Sequence, residues 1–135
     1  MTTTVTFAEV AEGVRATLAA YTHALDDGRT DDVVATFCPD GGCDIANFGA
    51  YEGHDALRAA YAGWVPRAPQ RHLVLNTEIT DWSDHQATAL SDVVFLLHGD
   101  GGWKVLLVGR YEDVLHRDGG GAWRFHRRVA TFQPG

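Results

Sequence analysis

Apolar residues in the first part of the chain recur at the spacing of a helix. Between Phe7 and Asp27 they follow one another at steps of three or four residues, as Val10, Val14, Leu18, Tyr21 and Leu25. Such spacing is typical of one buried face of an amphipathic helix. Gly28 comes next, where a helix commonly ends in a left-handed cap. The pattern therefore predicts a helix from Phe7 to Asp27.

Two shorter helices and a strand are predicted next. Thr30 is a candidate N-cap for a helix over DDVVATF, whose two leading aspartates lie in the first turn, where the helix dipole favours them. The turn residues of CPDGG are expected to end this helix, and a short strand is expected around Asp44 to Phe48. A third helix is predicted from about His54 to Trp64, because VPRAP breaks the chain after it.

The second half of the chain has the pattern of a sheet. Residues 72–82, 86–98, 103–116 and 122–132 are rich in Val, Leu, Ile, Thr and aromatic residues, which suit strands. Short turn-like separators connect them, so we expect an antiparallel meander. Helices followed by a meander predict an α+β fold, with the helices packed on one face of a strongly curved, mainly antiparallel sheet. We expect residues 1–135 to form one such domain.

Composition narrows the classes of partner. The chain of 135 residues has a net charge of −7, and its 11 Lys and Arg residues form no run, which argues against a nucleic-acid partner. No apolar stretch approaches the roughly 20 residues that span a membrane. The N-terminus lacks the basic and apolar regions of a signal peptide. We therefore expect a cytoplasmic protein that binds neither nucleic acid nor a membrane.

The sequence carries no motif for a metal or a cofactor. The 7 histidines are dispersed without a His-x-x-x-His spacing, and Cys38 and Cys43 match no zinc or redox motif. The paired glycines stand in hairpin contexts, and no GxSxG nucleophile motif occurs. We predict no metal and no cofactor, and reduced thiols at both cysteines in preference to a small disulfide.

Asp26 and Asp27 lie at the unfavourable end of the first predicted helix. The negative end of the helix dipole is there, so a carboxylate is typically destabilised by about 0.3–1 kcal/mol. Asp26 therefore needs a cation or a hydrogen-bond donor from elsewhere in the chain. His72, at the start of a predicted strand, is the candidate. We expect the two side chains to lie within direct or one-water hydrogen-bonding reach.

Three more charged residues stand inside predicted strands. They are Asp92 in ALSDVVFLL and the neighbours Arg127 and Arg128 in WRFHRRVATF. Successive strand residues point to opposite faces, so at least one of the arginines is expected to face solvent. Each of these residues alone could be an ordinary solvated side chain. Buried charges need partners, however, and one cluster of these groups around a pocket would supply them.

The segments that hold these residues carry a resemblance to a known family. With Tyr21 and Asp26 on the first helix, RH before an apolar strand, and the later segments GRYED and AWRFHRR, the chain resembles SnoaL-like proteins of the nuclear transport factor 2-like superfamily. The resemblance runs from about Phe7 to Phe132 and implies a cone-shaped α+β barrel enclosing a pocket. The chain is most similar to the branch holding scytalone dehydratase and bile acid 7α-dehydratase, whose catalytic tyrosine, aspartate and histidine match Tyr21, Asp26 and His72.

The resemblance implies a catalytic site. It assigns acid–base chemistry to Tyr21, Asp26 and His72, with Asp92 and Arg128 as further catalytic candidates. Elimination of water beside a carbonyl needs a base, an acid and a donor to the developing enolate. We therefore expect a cofactor-independent lyase or isomerase, with dehydration favoured over isomerisation and cyclisation. Its substrate would be a small apolar hydroxy-carbonyl, steroid-like or polyketide-like molecule.

Two other classes stay open at this stage. The chain could be a non-catalytic protein that binds a small molecule, with Asp26 and His72 as a structural pair, or it could be an oligomeric scaffold. In the binding and catalytic cases the walls of the pocket are expected to include Phe48, Tyr61, Trp64 and Phe95. The apolar residues on both faces of WKVLLVGRYEDVL predict a homo-oligomer formed through the sheet, a dimer or else a trimer.

Overall fold

The computed structural model describes residues 4–133, which form three helices and six strands. In chain order these are α1 (Phe7–Asp26), α2 (Thr30–Ala35), β1 (Phe37–Ile45), β2 (Gly49–Glu52), α3 (His54–Ala62), β3 (Gln70–Trp82), β4 (Gln86–Gly99), β5 (Gly102–Arg117) and β6 (Trp123–Gln133). The three predicted helices and the four long predicted strands are all present, with bounds within about two residues of those expected. Within the described part of the chain, no helix is both long and apolar enough to cross a membrane.

Helix α1 begins with a capping box and ends at a glycine. The Thr6 hydroxyl accepts a hydrogen bond from the Glu9 backbone N–H, and the Glu9 carboxylate accepts one from the Thr6 backbone N–H. A cap of this kind typically stabilises a helix by about 1 kcal/mol. The five predicted stripe residues are buried. Gly28 has a φ of +73°, which confirms the predicted left-handed turn after the helix.

The predicted N-cap of the second helix is wrong. Thr30 is the first helical residue of α2, and Arg29 occupies the N-cap position without a side-chain cap bond. The Arg29 carbonyl already accepts from the backbone N–H groups of Asp32 and Val33, so the helical hydrogen bonds start one residue earlier than expected. The Arg29 side chain instead pairs with Asp32 at 2.6 Å.

The CPDGG segment is part of a strand and not the turn that the sequence predicted. It lies in β1, which pairs in parallel with β6 and antiparallel with β2. The register of β1 against β6 shifts between Phe37 and Gly42, and glycines are common at such bulges. A Cβ at Gly41 would collide with the carbonyl oxygen of Phe125, so the strands can approach only because this residue is glycine. The expected strand from Asp44 to Phe48 is therefore the end of β1 and the turn into β2.

The six strands form one open sheet in the order β2-β1-β6-β5-β4-β3. Strands β3 to β6 are the predicted antiparallel meander. Among the described strands, only β1 and β6 pair in parallel. The helices pack against one face of this curved sheet, which confirms the predicted α+β fold. Strands β2 and β3 are free edges, so the sheet does not close into a barrel.

The core lies between the helices and the inner face of the sheet. At its centre the Tyr21 ring makes edge contacts with the rings of Phe37, Tyr61, Tyr111 and Phe125, with centroids 5.7–6.4 Å apart. Burying each such side chain stabilises the fold by roughly 1.5–3 kcal/mol. These contacts also fix the position of the Tyr21 hydroxyl, which matters for the site described below.

The outer face of the sheet carries exposed apolar residues. Leu73, Leu75, Val105 and Val108 are each 41–58% exposed. Leu73, Leu75 and Val108 alternate with residues that point into the core, so they lie on the side away from the helices. Val105 lies on the same side, because it pairs with Leu96, the neighbour of the cavity-lining Phe95. Contiguous exposed apolar surface is typical of faces that another chain covers. Oligomerisation through the sheet stays a prediction, and this face is where it would occur.

Candidate active site

The last residue of α1 and the third residue of β3 form a hydrogen-bonded pair. Asp26 Oδ1 lies 2.7 Å from His72 Nδ1, and Asp26 Oδ2 accepts from the His72 backbone N–H, also at 2.7 Å. The predicted contact between the two residues is therefore present. It explains why a carboxylate is tolerated at the negative end of the helix dipole: both of its oxygens have donors from the sheet.

Gln70 adds a third donor to the same carboxylate. Its Nε2 lies 3.1 Å from Asp26 Oδ1, and the residue is buried. Burial alone would raise the pKa of Asp26, but the hydrogen bonds from His72 and Gln70 outweigh it and lower that pKa below its ordinary value. Asp26 is therefore an ionised carboxylate at neutral pH, with its charge directed at the imidazole.

The imidazole of His72 is held in one orientation. Its ring stacks on Phe95 with centroids 4.5 Å apart and planes 16° apart. Because the ionised Asp26 can only accept, the hydrogen on the ring belongs to Nδ1, and the lone pair belongs to Nε2. Among the described residues Nε2 has no hydrogen-bond partner, and the ring forms part of a cavity wall. His72 thus lines the cavity with one ring nitrogen bonded to Asp26 and the other free to contact a ligand.

The cavity has a volume of about 310 Å³ and lies between the helices and the inner face of the sheet. Most of its wall is apolar or aromatic, from Tyr21, Leu25, Ile45, Phe48, Tyr61, Trp64, Val93, Phe95, Leu106, Leu107, Tyr111, Ala130 and Phe132. Its side-chain polar groups come from Gln70, His72 and three tyrosines. The structure thus places Phe48, Tyr61, Trp64 and Phe95 around one cavity with His72, and their role in binding stays a prediction.

Two tyrosine hydroxyls meet in the wall of the cavity. Tyr21 Oη and Tyr61 Oη lie 2.5 Å apart, and Tyr61 Oη is 3.9 Å from Cys43 Sγ. Burial raises the pKa of both tyrosines well above the ordinary value, so both remain protonated. When Tyr61 donates to Tyr21, the Tyr21 hydrogen is free for a ligand oxygen in the cavity.

Arg128 lies behind the cavity wall and not in it. Its Nε and Nη2 donate to the two carboxylate oxygens of Asp113 at 2.9 and 3.2 Å, and both side chains are fully buried. Its guanidinium carbon is 3.5 Å from the ring centroid of Tyr111 and 4.4 Å from that of Tyr21. Arg128 does not line the cavity, so it cannot contact a substrate bound there. Its part in catalysis stays a prediction, and it could act only through the tyrosines against which it packs. Arg127 points outward, 3.9 Å from Asp44.

The buried ion pair also affects the tyrosines electrostatically. Burial would lower the pKa of Arg128, but Asp113 and the neighbouring tyrosines outweigh it and raise that pKa, so the guanidinium stays charged. Burial raises the pKa of Tyr111 to about 12, with the Arg128 charge opposing the rise. A fixed cation beneath Tyr21 and Tyr111 makes their hydroxyls better hydrogen-bond donors than burial alone would.

Asp92 lies outside the candidate site, which corrects its assignment. Strand β4 buries Ser91 and Val93 against the core, so Asp92 between them faces the outer surface. There it accepts from Asn76 Nδ2 at 2.8 Å and from Arg110 Nε at 3.1 Å. The Asp92 side chain is therefore on the outer face of the sheet, away from the cavity, and cannot take part in a reaction there.

Three residues of the site were missed from the sequence. Gln70 donates to Asp26, and Tyr111 lines the cavity. Asp113 accepts from Arg128. The period of two along a strand could have found them, because Gln70 shares a face with His72, and Tyr111 and Asp113 share the inward face of β5. An inward aspartate opposite an inward arginine was the available signal for a buried ion pair.

Comparison with known proteins gives both a family and a set of structural relatives. The family described as the SnoaL-like domain matches residues 7–129. A nuclear transport factor 2-like protein with a cystatin-like fold from Novosphingobium aromaticivorans is 22% identical, with a TM-score of 0.83 over 93% of this chain and 82% of that chain. A provisionally named scytalone dehydratase from the same organism is 21% identical, with a TM-score of 0.80 over 92% of this chain and 84% of that chain.

A third relative comes from Streptomyces coelicolor. It is ActVI-ORFA, 22% identical to this chain, with a TM-score of 0.82 over 92% of this chain and 97% of that chain. At these identities the structural likeness shows the shared fold. No curated protein sequence matches the chain.

Proposed function

The chain belongs to the SnoaL-like domain family, and from that premise we propose that it is a cofactor-independent lyase or isomerase, with dehydration as its reaction. The observation that carries the proposal is the Asp26–His72 pair at the wall of an apolar cavity, with the second imidazole nitrogen left without a partner among the described residues. A titratable group oriented by a buried carboxylate at the wall of a cavity is the arrangement of a general base.

In the proposed reaction His72 removes a proton. Its Nε2 takes the hydrogen from the carbon next to the substrate carbonyl, and the electron pair of that C–H bond forms an enolate. The resulting imidazolium keeps its other hydrogen on Nδ1, bonded to Asp26, whose charge stabilises it. The hydroxyl on the β-carbon then leaves with a proton returned by His72. The products are water and a conjugated carbonyl compound.

The tyrosine pair would stabilise the enolate. Tyr21, whose hydroxyl lies 2.5 Å from that of Tyr61, is the candidate donor to the substrate oxygen on which negative charge develops. The Arg128 guanidinium, 4.4 Å from the Tyr21 ring, would strengthen that donation without touching the substrate. Donors aimed at a developing oxyanion typically contribute a factor of about 10²–10³ to the rate.

The shape and polarity of the cavity support an apolar substrate. A volume of about 310 Å³ suits a molecule of one to a few rings. Almost all of the wall is apolar, so the polar atoms of the substrate would be confined to the side facing His72 and the tyrosines. A small hydroxy-carbonyl of aromatic, polyketide-like or steroid-like type meets both conditions. The provisional name of one structural relative, scytalone dehydratase, favours dehydration over isomerisation or cyclisation.

A screen followed by an assay tests this proposal. Thermal-shift measurements on a panel of β-hydroxy ketones, steroids and polyketide-like phenols would identify ligands that raise Tm. Each hit would then be incubated with the protein, and formation of a conjugated carbonyl would be followed by ultraviolet absorbance. We expect at least one hit to lose water with the wild-type chain and not with His72→Gln. Ligands that bind the wild type and are recovered unchanged would support the alternative of a non-catalytic binding protein.

A further inference from the structure

A second cluster of chemically active side chains lies away from the cavity. Cys38 of β1, His116 of β5 and His126 of β6 each place one ligand atom so that all three atoms lie within 4.8 Å of one another. Strand neighbours of these residues, Phe37, Leu115 and Phe125, are fully buried in the core. Successive strand residues alternate between faces, so the cluster lies on the outer side of the sheet and belongs to no part of the proposed catalytic site.

We propose that Cys38, His116 and His126 bind one borderline-soft divalent metal ion, for which Zn²⁺ is the best match. One thiolate and two imidazoles form a donor set that zinc commonly takes in proteins, and that calcium or magnesium does not. In a tetrahedral zinc site the ligand atoms lie about 3.3–3.7 Å apart, given the usual Zn–S and Zn–N bond lengths. The three ligand atoms of this cluster, all within 4.8 Å of one another, need to approach by at most about 1.5 Å to reach that spacing.

One of the two histidines, His126, points to a missing ligand, whereas His116 Nε2 already lies 3.0 Å from Gln86 Oε1. Their rings stack with centroids 4.2 Å apart and planes 13° apart, an arrangement that two protonated imidazoles would not hold. Within residues 4–133, His126 Nδ1 is a buried atom without a hydrogen-bond partner. A buried polar atom without a partner is costly, typically by about 1–3 kcal/mol. A metal ion shared by the two rings and the thiol would supply the partner.

The surrounding charges suit a cation. The Asp40 carboxylate, two residues after Cys38, acts electrostatically on both Cys38 and His116 and is the candidate fourth ligand. The cation that faces the cluster is Arg124, and it is already paired with Asp118 at 2.9 Å. Cys38 donates only a weak hydrogen bond, 3.7 Å to the Arg124 carbonyl.

The inferred site would join three strands. It ties β1 to β5 and β6 beside the bulge between Phe37 and Gly42. Phe37 packs against Tyr21 and Tyr61, so an ion bound at Cys38 would hold in place the strand that supports the tyrosine pair. We infer a stabilising role from this, independent of the proposed reaction. Spacing along the chain does not reveal the cluster, because Cys38 on β1 is far from the two histidines on β5 and β6.

Cobalt provides a direct test, because a Co²⁺–thiolate bond gives a near-ultraviolet charge-transfer band that other ligands do not. The full chain, kept reduced and freed of metal by a chelator, would be titrated with Co²⁺ and then with Zn²⁺. We expect one Co²⁺ per chain, the thiolate band, and displacement of Co²⁺ by Zn²⁺. We also expect Zn²⁺ to raise Tm by several degrees, as binding to the native state requires.

Variants locate the ion. Cys38→Ser should remove the band, and His116→Asn and His126→Asn should each weaken binding at least about tenfold. Cys43→Ser and His98→Asn, which change a cysteine and a histidine outside the cluster, should leave the band and the affinity unchanged. Circular dichroism would verify folding, and if Cys38→Ser does not fold, the comparison of His126→Asn with His98→Asn decides. Absence of a thiolate band in the wild type, or a band that survives both histidine changes, would overturn the inference.

Discussion

The guanidinium carbon of Arg128 lies 3.5 Å from the ring centroid of Tyr111, beneath the wall of the cavity. On its other side the same guanidinium forms a bidentate pair with Asp113, and both charged groups are fully buried. This stack connects the buried charge of the core with the tyrosines that face the cavity. Arg128 therefore belongs both to the buried core and to the immediate surroundings of the tyrosines that line the cavity.

Removing Arg128 should strongly destabilise the fold. Arg128→Met leaves the Asp113 carboxylate buried without a counter-charge, so we expect the free energy of unfolding to fall by about 3–5 kcal/mol. The measurement is urea denaturation followed by circular dichroism. Arg127→Met is the matched control, because Arg127 is the neighbouring residue on β6 and is exposed; its effect should stay within about 0.5 kcal/mol. Equal effects of the two changes would show that the buried pair is not what stabilises this part of the core.

The two aspartates at the end of α1 should differ in function. Asp26→Asn removes the charge that supports a protonated His72, so we expect turnover of an identified substrate to fall at least about 100-fold. Asp27 is exposed and, among residues 4–133, pairs only with Arg29 at 3.6 Å, so Asp27→Asn should leave turnover unchanged. Rate measurements on both variants at saturating substrate make the comparison. Equal losses, or no loss from Asp26→Asn, would remove Asp26 from the site.

Asp26 should also contribute to stability in a pH-dependent way. Its pKa is lower in the folded chain than in the unfolded one, so between the two values the unfolded chain binds more protons. The contribution is therefore complete above the unfolded pKa of about 4 and is lost as the pH falls through the folded pKa. We expect the stability difference between wild type and Asp26→Asn to be about 1.5–3 kcal/mol near neutral pH and to shrink below about pH 4. Denaturation curves at a series of pH values test this, and a difference that grows in acid would contradict it.

The two tyrosines of the pair should not be equivalent. If Tyr21 is the donor to the substrate, Tyr21→Phe should reduce kcat by about 10²–10³. Tyr61→Phe leaves the Tyr21 hydroxyl able to donate, so its effect on kcat should be at least tenfold smaller. Steady-state kinetics on both variants separate these results. A larger loss from Tyr61→Phe would exchange the two roles.

Oligomerisation through the sheet can be tested on its outer face. Leu75 and Val108 are 46% and 45% exposed there, and we predict that a second copy of the chain covers them. A charge at either position would be buried in the interface, so Val108→Glu should shift the wild-type oligomer toward monomer. Sedimentation velocity at micromolar concentration measures this. Ala19→Glu, at an exposed position on α1, which packs on the opposite face of the sheet, is the control and should leave the oligomer intact. A wild-type chain that sediments only as a monomer would refute the prediction.

The fold was largely predictable because the local signals agree with the tertiary structure. Three local signals in the sequence match the structure. They are the helical spacing in α1, the turn residues between β3 and β6, and Gly28 after the first helix. The prediction failed at β1, where CPDGG looks like a turn. There the parallel pairing with β6 outweighs local preference, and the glycines serve a bulge.

The candidate site was predictable in part for a related reason. Asp26 and His72 could be paired because a carboxylate at the wrong helix end needs a donor. Asp92 was misplaced, since charge within an apolar strand does not tell which face it occupies. The Arg128–Asp113 pair was open to prediction, because an inward aspartate on β5 stands opposite an inward arginine on β6. The cluster at Cys38 was not, because β1 is far along the chain from β5 and β6, and only the strand register brings its three residues together.

In the proposed reaction His72, supported by Asp26, removes a proton from a bound carbonyl compound. Hydrogen–deuterium exchange tests it most directly: a ligand found by thermal shift is incubated with the protein in D₂O, and the hydrogen next to its carbonyl is followed by NMR. The account predicts exchange with the wild-type chain, and with Asp27→Asn, at rates at least about 100-fold above those with His72→Gln or Asp26→Asn. A ligand that binds the wild type but keeps that hydrogen, or that exchanges equally fast with His72→Gln, would contradict it.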